Sequence, residues 1–225
     1  SIINQYEIGV KNEFLDGKLS ANASVYKIIN SNFAQTAIFD KNGNPNTNTT
    51  IRELSGETTS DGFEVDFNGV LSKNFYFLLG YGYNFMRYTN TTGAVGGQVE
   101  GEQLIRNPRN TANGSVFYTF DKTKLKGLKV GISAFYTGKR FAGNNNVVGL
   151  NGGLNNTTAA LSAYNALIPL AGFTTTDISA GYSFGKVSVL AKVSNIFNTL
   201  NYIVHDRYSI NPIAPRQFAT TVSYK

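Results

Sequence analysis

The sequence predicts an all-β chain, an antiparallel up-and-down meander of about nine long strands. Three observations predict it. Apolar and polar residues alternate with a period of two over stretches of roughly ten residues. The connections between those stretches are alternately very short and long. The composition, with 23 Gly, 13 Tyr and 16 Phe but only 15% charged residues, favours strands and turns over helices.

The first stretch, Gln5 to Phe14, sets Tyr6, Ile8, Val10 and Phe14 on one face and Glu7, Gly9, Lys11 and Glu13 on the other. Asp16-Gly17 makes a tight hairpin turn. The return strand alternates Leu19, Ala21, Ala23 and Val25 with Ser20, Asn22 and Ser24. A polar loop is expected from Asn30 to Thr59. The third strand begins near Asp61 and alternates Phe63, Val65, Phe67 and Gly69 with Glu64, Asp66 and Asn68. Ser72-Lys73-Asn74 turns the chain into a fourth strand carrying Phe75, Phe77, Leu79, Tyr81 and Tyr83 on one side. After a loop from about Thr92 to Pro108, the fifth strand, Asn110 to Phe120, aligns Ala112, Gly114, Val116, Tyr118 and Phe120.

A lysine-rich turn leads to the sixth strand, with Leu128, Val130, Ile132, Ala134 and Tyr136 on its apolar face. A loop from Ala142 to Gly172 follows, and Thr157 to Leu167 within it has the makings of a short helix stopped by Pro169. The seventh strand, Thr174 to Phe184, aligns Thr176, Ile178, Ala180, Tyr182 and Phe184. Gly185-Lys186 turns it into an eighth, from Val187 to about Val204, with a bulge or bend at Asn195-Ile196-Phe197-Asn198. The last strand, Arg216 to Lys225, shares Phe218, Thr220, Val222 and Tyr224 on one face.

What solvent the apolar faces meet decides the architecture. No apolar run reaches the ~18 residues of a membrane helix, and Phe75 to Met86 is interrupted by Gly80, Gly82 and Asn84. A β-sandwich is the alternative architecture. Two features weigh against it. The strands approach the ~9–11 residues that cross a bilayer. The reverse face carries Glu7, Lys11, Glu64, Asp66, Lys129, Asp177 and Lys192 among Gly, Ser and Asn. A barrel satisfies both faces, one meeting lipid and the other a wet or plugged interior. A charge on the lipid face costs ~2–4 kcal/mol at the midplane, and the mid-strand apolar rows carry none. Glu7, Lys11, Glu64, Asp66 and Asp177 are therefore expected to face the lumen. Tyr and Phe near the strand ends suit the interfacial girdles.

Several stretches resemble TonB-dependent outer-membrane receptors, in particular the siderophore-receptor branch. They are Gln5-Tyr6-Glu7-Ile8-Gly9-Val10-Lys11 with Leu15-Asp16-Gly17-Lys18-Leu19, then Asp61-Gly62-Phe63-Glu64, then Phe173-Thr174-Thr175-Thr176-Asp177. Val193-Ser194-Asn195-Ile196-Phe197-Asn198 and Ala214-Pro215-Arg216-Gln217-Phe218 through Tyr224-Lys225 complete an ordered set that spans the chain. The resemblance implies a bacterial outer-membrane barrel of about 22 strands with a plug inside it. Residues 1–225 would form its C-terminal section, the plug and earlier strands lying outside them. First and last strands would both run inward, so an open sheet is expected rather than a closed barrel. The N-terminus reads as a cut within a longer chain, and the family register places an aromatic residue after Lys225.

The same resemblance implies uptake of a ferric siderophore. The partners would be the plug, the remaining barrel strands, the TonB complex acting through the plug, outer-membrane lipid and lipopolysaccharide. No resident cofactor is expected, the iron chelate being cargo. Loop residues of cationic or aromatic character suit an anionic, aromatic chelate: Arg87, Tyr88, Arg106, Lys139, Arg140, Phe141, His205, Arg207 and Tyr208. Alternatives are another bulky nutrient, such as a cobalamin or a glycan, or a small stand-alone barrel serving as adhesin, porin or protease.

No catalytic constellation stands out, and an enzyme is not expected. His205 beside Asp206 has the chemistry of a general base, but it falls in a loop without a placed acidic pair. Asp40-Lys41-Asn42-Gly43-Asn44 has its glycine in the wrong place for a calcium loop and reads as a turn. Gly80-x-Gly82 lies in a strand rather than a phosphate loop. Pro108-Arg109 and Pro215-Arg216 each open a strand, where Pro is acceptable; the Arg could contact plug, ligand or lipopolysaccharide, and structural anchoring is the favoured role. The net charge of +6 comes from dispersed Lys and Arg, which argues against nucleic acid.

Overall fold

The computed structural model describes residues 1–46, 48, 50–93, 98–145, 165–206 and 209–225. Nine strands form one antiparallel sheet: β1 (Ile2–Phe14), β2 (Leu19–Thr36), β3 (Arg52–Ser72), β4 (Phe75–Asn90), β5 (Asn110–Thr119), β6 (Lys129–Thr137), β9 (Phe173–Phe184), β10 (Val187–Ser194) and β13 (Gln217–Tyr224). Two small hairpins stand apart, β7 (Arg140–Asn145) with β8 (Asn165–Leu170) and β11 (Tyr202–Val204) with β12 (Ile210–Pro212).

The register carries the alternation from strand to strand. Val25 stands opposite Phe63, and Phe63 opposite Tyr83. Val116 stands opposite Ile132, Ile132 opposite Ile178, Ile178 opposite Val193 and Val193 opposite Phe218. Directly opposed residues share a face, so the apolar rows of separate strands merge into one continuous band. Among the described residues no second sheet covers it: Tyr6 is 64% exposed, Ile8 73% and Phe218 70%. A sandwich would have hidden these side chains. The band is instead shaped for hydrocarbon, as in a membrane barrel.

The polar face solves a packing problem at three glycines. Phe33, Tyr26 and Phe117 stand directly across from Gly56, Gly62 and Gly131. In each case the aromatic ring lies over the bare backbone of its partner. A Cβ added at Gly131 would come within 2.6 Å of the Phe117 ring. The ring thus supplies apolar cover that the glycine lacks.

β1 and β13 form the two edges, with seven strands between them. With an odd strand count both edges point the same way, and the sheet is open as expected. The short turns lie at one end and the long connections at the other, the pattern of periplasmic turns and extracellular loops.

Three expectations need correction. The loop anticipated from Asn30 to Thr59 is largely strand, because β2 runs on to Thr36 and β3 starts at Arg52. The ladder continues through irregularities at Ser31, Phe33 and Ala34. Polar bonds such as Gln35 Nε2 to Ser55 Oγ, at 2.9 Å, help hold it. Beyond the membrane no solvent enforces an apolar face, so pairing persists without alternation. The helix expected from Thr157 to Leu167 lies mostly outside the described residues, but its end, Asn165 to Leu167, is strand, and Pro169 sits within β8 opposite Phe141. The eighth expected strand stops at Ser194, and Tyr202–Val204 belongs to a separate hairpin.

Candidate functional site

The lumen face is built from the positions between the apolar rows. Glu7, Lys11, Asn22, Glu64 and Asp66 line one shallow polar groove across β1 to β3. Within it Asn22 Nδ2 donates to Asp66 Oδ2 at 2.7 Å. Farther along the sheet, Asp177 of β9 pairs with Lys192 of β10 at 2.8 Å, and its other oxygen accepts from the backbone N–H of Asn195 at 2.9 Å. All five carboxylates and amines anticipated for the lumen therefore lie on the face opposite the apolar band.

Asn195 accounts for the bend expected at Asn195-Ile196-Phe197-Asn198. It takes a left-handed φ of 50°, which Asn tolerates better than most residues. Its buried amide donates to the Thr199 and Ala214 carbonyls, each at 3.0 Å, while its Oδ1 accepts from the Thr199 N–H at 2.9 Å. Asn198, also left-handed at 52°, accepts from the Arg216 N–H through its Oδ1. The two asparagines bend the chain out of β10 and tie the bend to the start of β13. The signal was present in the sequence as two Asn three residues apart at the end of an alternating run.

The anticipated ligand contacts divide into groups. Arg140 is buried, 4% exposed, and is committed to the protein. Its guanidinium bonds Asn201 Oδ1 at 2.9 Å and the Tyr202, Gly138 and Ala171 carbonyls, and lies 5.1 Å from the Phe173 ring centre. Burial pulls its pKa below the ordinary guanidinium value. It bolts β7–β8 to β11–β12, above a small apolar cluster of Ala142, Leu170, Val204 and Ile210. Arg87 lies on the same face as the apolar rows and pairs with Asp61 at 2.7 Å. Tyr88 packs its ring 6.2 Å from Phe33.

Arg106 and Lys139 are exposed and Phe141 half-buried. The Arg106 N–H donates to the Phe141 carbonyl at 2.9 Å, which brings those two loop segments together. Arg106 itself holds a left-handed φ of 73°. His205 is exposed, and its backbone N–H donates to the Ser209 carbonyl in the β11–β12 turn. Arg207 and Tyr208 lie outside the described residues. At the tip of the β2–β3 connection, Asp40 accepts from the Asn42 and Asn44 N–H groups at 2.8 and 2.9 Å. Those bonds hold its carboxyl below the usual range and account for the turn.

A single twisted sheet with hydrocarbon on one face, a polar lumen on the other and long connections at one end defines the wall of an outer-membrane β-barrel. The family described as TonB dependent receptor-like, beta-barrel matches residues 2–196, and the chain belongs to that family. It is a receptor component of the bacterial outer membrane and not an enzyme. The metal-pseudopaline receptor CntO of Pseudomonas aeruginosa is 24% identical over 198 residues, which is 88% of this chain and 24% of the relative. Among solved structures, the pyoverdine outer membrane receptor FpvA of P. aeruginosa bound to pyoverdine superposes with a TM-score of 0.74 at 21% identity, covering 99% of this chain and 29% of that one. BauA, the ferric preacinetobactin receptor of Acinetobacter baumannii, gives 0.73 at 17% identity, covering 99% and 29%. The chain spans about a quarter of the length of the curated relatives it matches.

Proposed function

We propose that this chain is the C-terminal barrel section of a receptor that imports a ferric siderophore, driven by the TonB complex acting on a plug held by the rest of the protein. The family supports uptake of a metal or siderophore. The finer reading rests on one observation, the Arg106–Phe141 backbone bond, which brings together at the long-loop end the two segments that carry Arg106, Lys139 and Phe141. Two cations and an aromatic ring suit an anionic, aromatic chelate. The lumen carboxylates Glu7, Glu64 and Asp66 and the Asp177–Lys192 pair would meet the plug. Outer-membrane lipid and lipopolysaccharide would surround the apolar band.

In cells carrying the whole receptor, the double substitution Arg106→Ala, Lys139→Ala should lower uptake of radiolabelled ferric siderophore by about tenfold, one charged hydrogen bond's worth, at equal receptor level. Unchanged uptake after deletion of the gene would refute the reading. The name of the curated relative favours a second reading, in which the chelator carries a metal other than ferric iron. Uptake of one chelator loaded with iron or with zinc separates the two.

A further inference from the structure

The charge of the chain is sorted by height. The β5–β6 turn carries Lys122, Lys124 and Lys126, the other three short turns carry Lys18, Lys73 and Lys186, and Lys225 follows β13. Against these seven lysines stand two acids, Asp16 and Asp121, so this end holds +5 of the +6 net charge of the whole chain. Just inside the strand ends, Glu13 and Lys129 offset each other. Lys73 is paired with Asp121 at 2.6 Å. The other six lysines are exposed, and among the described residues none of them has an ion-pair partner.

Register decides which side of the wall they address. Tyr224 stands opposite Val187 in the outward rows, and successive side chains of a strand alternate. Lys225, next after Tyr224, therefore continues the lumen side, and its N–H donates to the Lys186 carbonyl at 2.9 Å. Lys186 directly precedes Val187, and Lys18 directly precedes Leu19, which stands opposite Phe14 in the outward row of β1. These three lysines thus border the mouth of the lumen and not the surrounding lipid. The β5–β6 turn adds a knuckle held by its own backbone. There the Gly127 N–H donates to the Phe120 carbonyl at 2.7 Å, and φ is left-handed at Thr123 (70°) and Gly127 (90°). Paired strands lie about 4.8 Å apart, so the lysines trace an arc of roughly 40 Å along the sheet.

We propose that this arc is an anion-attracting mouth at the periplasmic end of the transport path, drawing an anionic solute out of the lumen. The inference rests on the reading of the chain as part of an uptake receptor. A border of one sign of charge beside low-dielectric walls focuses the field and raises the local concentration of the opposite charge. Rings of lysine or arginine favour anions in pores for the same reason. An anionic chelate leaving the lumen is stabilised at the mouth, while an uncharged one gains nothing there. The lysines take no part in capture, because the long connections that face the medium lie at the other end of the strands.

The test uses the whole receptor in phosphatidylcholine nanodiscs. Ser223 lies two residues before Lys225 on the lumen side, opposite Ser188. With Ser223→Cys, the rates of reaction with sulfonatoethyl and trimethylammonioethyl methanethiosulfonate are compared, and their ratio reads the local potential. Relative to free cysteine the anionic reagent should be favoured about tenfold, the low end for focused charge. The preference should vanish at about 1 M salt, where the screening length is about 3 Å. Lys18→Gln, Lys186→Gln and Lys225→Gln together should abolish it. No preference with the lysines in place, or no reaction with either reagent, overturns the proposal. So does loss of the preference when phosphatidylglycerol is added to the nanodiscs, because the lysines would then be facing headgroups. In cells, the same triple variant should slow internalisation of radiolabelled ferric siderophore severalfold while surface binding stays unchanged. If the unaltered receptor imports no ferric siderophore, the functional reading fails and the mouth is judged by the thiol ratio alone. If import proceeds equally with and without the three lysines, the inference fails.

Discussion

Arg140 shows what a single side chain can hide from a sequence. Its charge and its place after an apolar strand made it an expected ligand contact. In the fold it is buried and bonded to Asn201, Tyr202 and Ala171, residues some distance along the chain. No local pattern could have announced those partners, because the β7–β8 and β11–β12 hairpins that bring them together are themselves irregular in sequence. Arg140→Ala should leave several carbonyls without a donor and cost the two hairpins about 2–3 kcal/mol of local stability. Hydrogen exchange in the whole receptor should then speed up at Ala142, Leu170 and Val204 while β4 to β6 keep their protection. Uniform protection would mean that the arginine is dispensable as a bolt. Asn195 teaches the reverse lesson. Its position was legible as a motif, but the reason, a left-handed turn satisfied by its own amide, required coordinates.

Among the elements, the strands crossing the membrane were legible wherever lipid enforces alternation. The fourth through seventh strands begin and end within a few residues of the sequence reading, the third ends there too, and the merged apolar rows follow from it. Legibility ended where β2 and β3 pass out of the bilayer and polar residues pair across them. The turns at the opposite end add a specific linkage. Lys73, between β3 and β4, meets Asp121, between β5 and β6, at 2.6 Å. The hydrogen bond from Lys73 lowers the Asp121 carboxyl below its ordinary value, and the same bond raises the Lys73 ammonium. A depressed carboxyl stabilises the folded form above the unfolded value, near 3.9, and loses that contribution as pH falls through the folded one. Asp121→Asn should therefore lower the melting temperature slightly at pH 7 and by less at pH 2, as read by differential scanning of the receptor in detergent. An equal effect at both pH values would show that the charge pair contributes nothing. Both side chains are open to water, so the effect is small.

For the whole molecule, the class of fold and its openness were legible, since both follow from strand count and direction. The Arg87–Asp61 pair was not, because it depends on which residues the register brings side by side across β3 and β4. The open sheet itself is a liability: β1 is exposed along its whole length, and an unpaired edge recruits strands from other chains. Expressed alone, residues 1–225 should give no heat-modifiable species on cold gel electrophoresis, and supplying the remaining barrel strands should restore one. A compact, heat-modifiable band from the isolated chain would contradict this.

Nine strands also fix the polarity of the sheet at both borders. Ser1 stands at the end bearing the long connections and Lys225 at the end bearing the short turns. In a chimaera between two receptors, a donor block with an even number of strands put in place of an odd number would leave the strands after it inverted, their surface loops facing the periplasm. Recombination that preserves function is thereby confined to exchanges of matching parity.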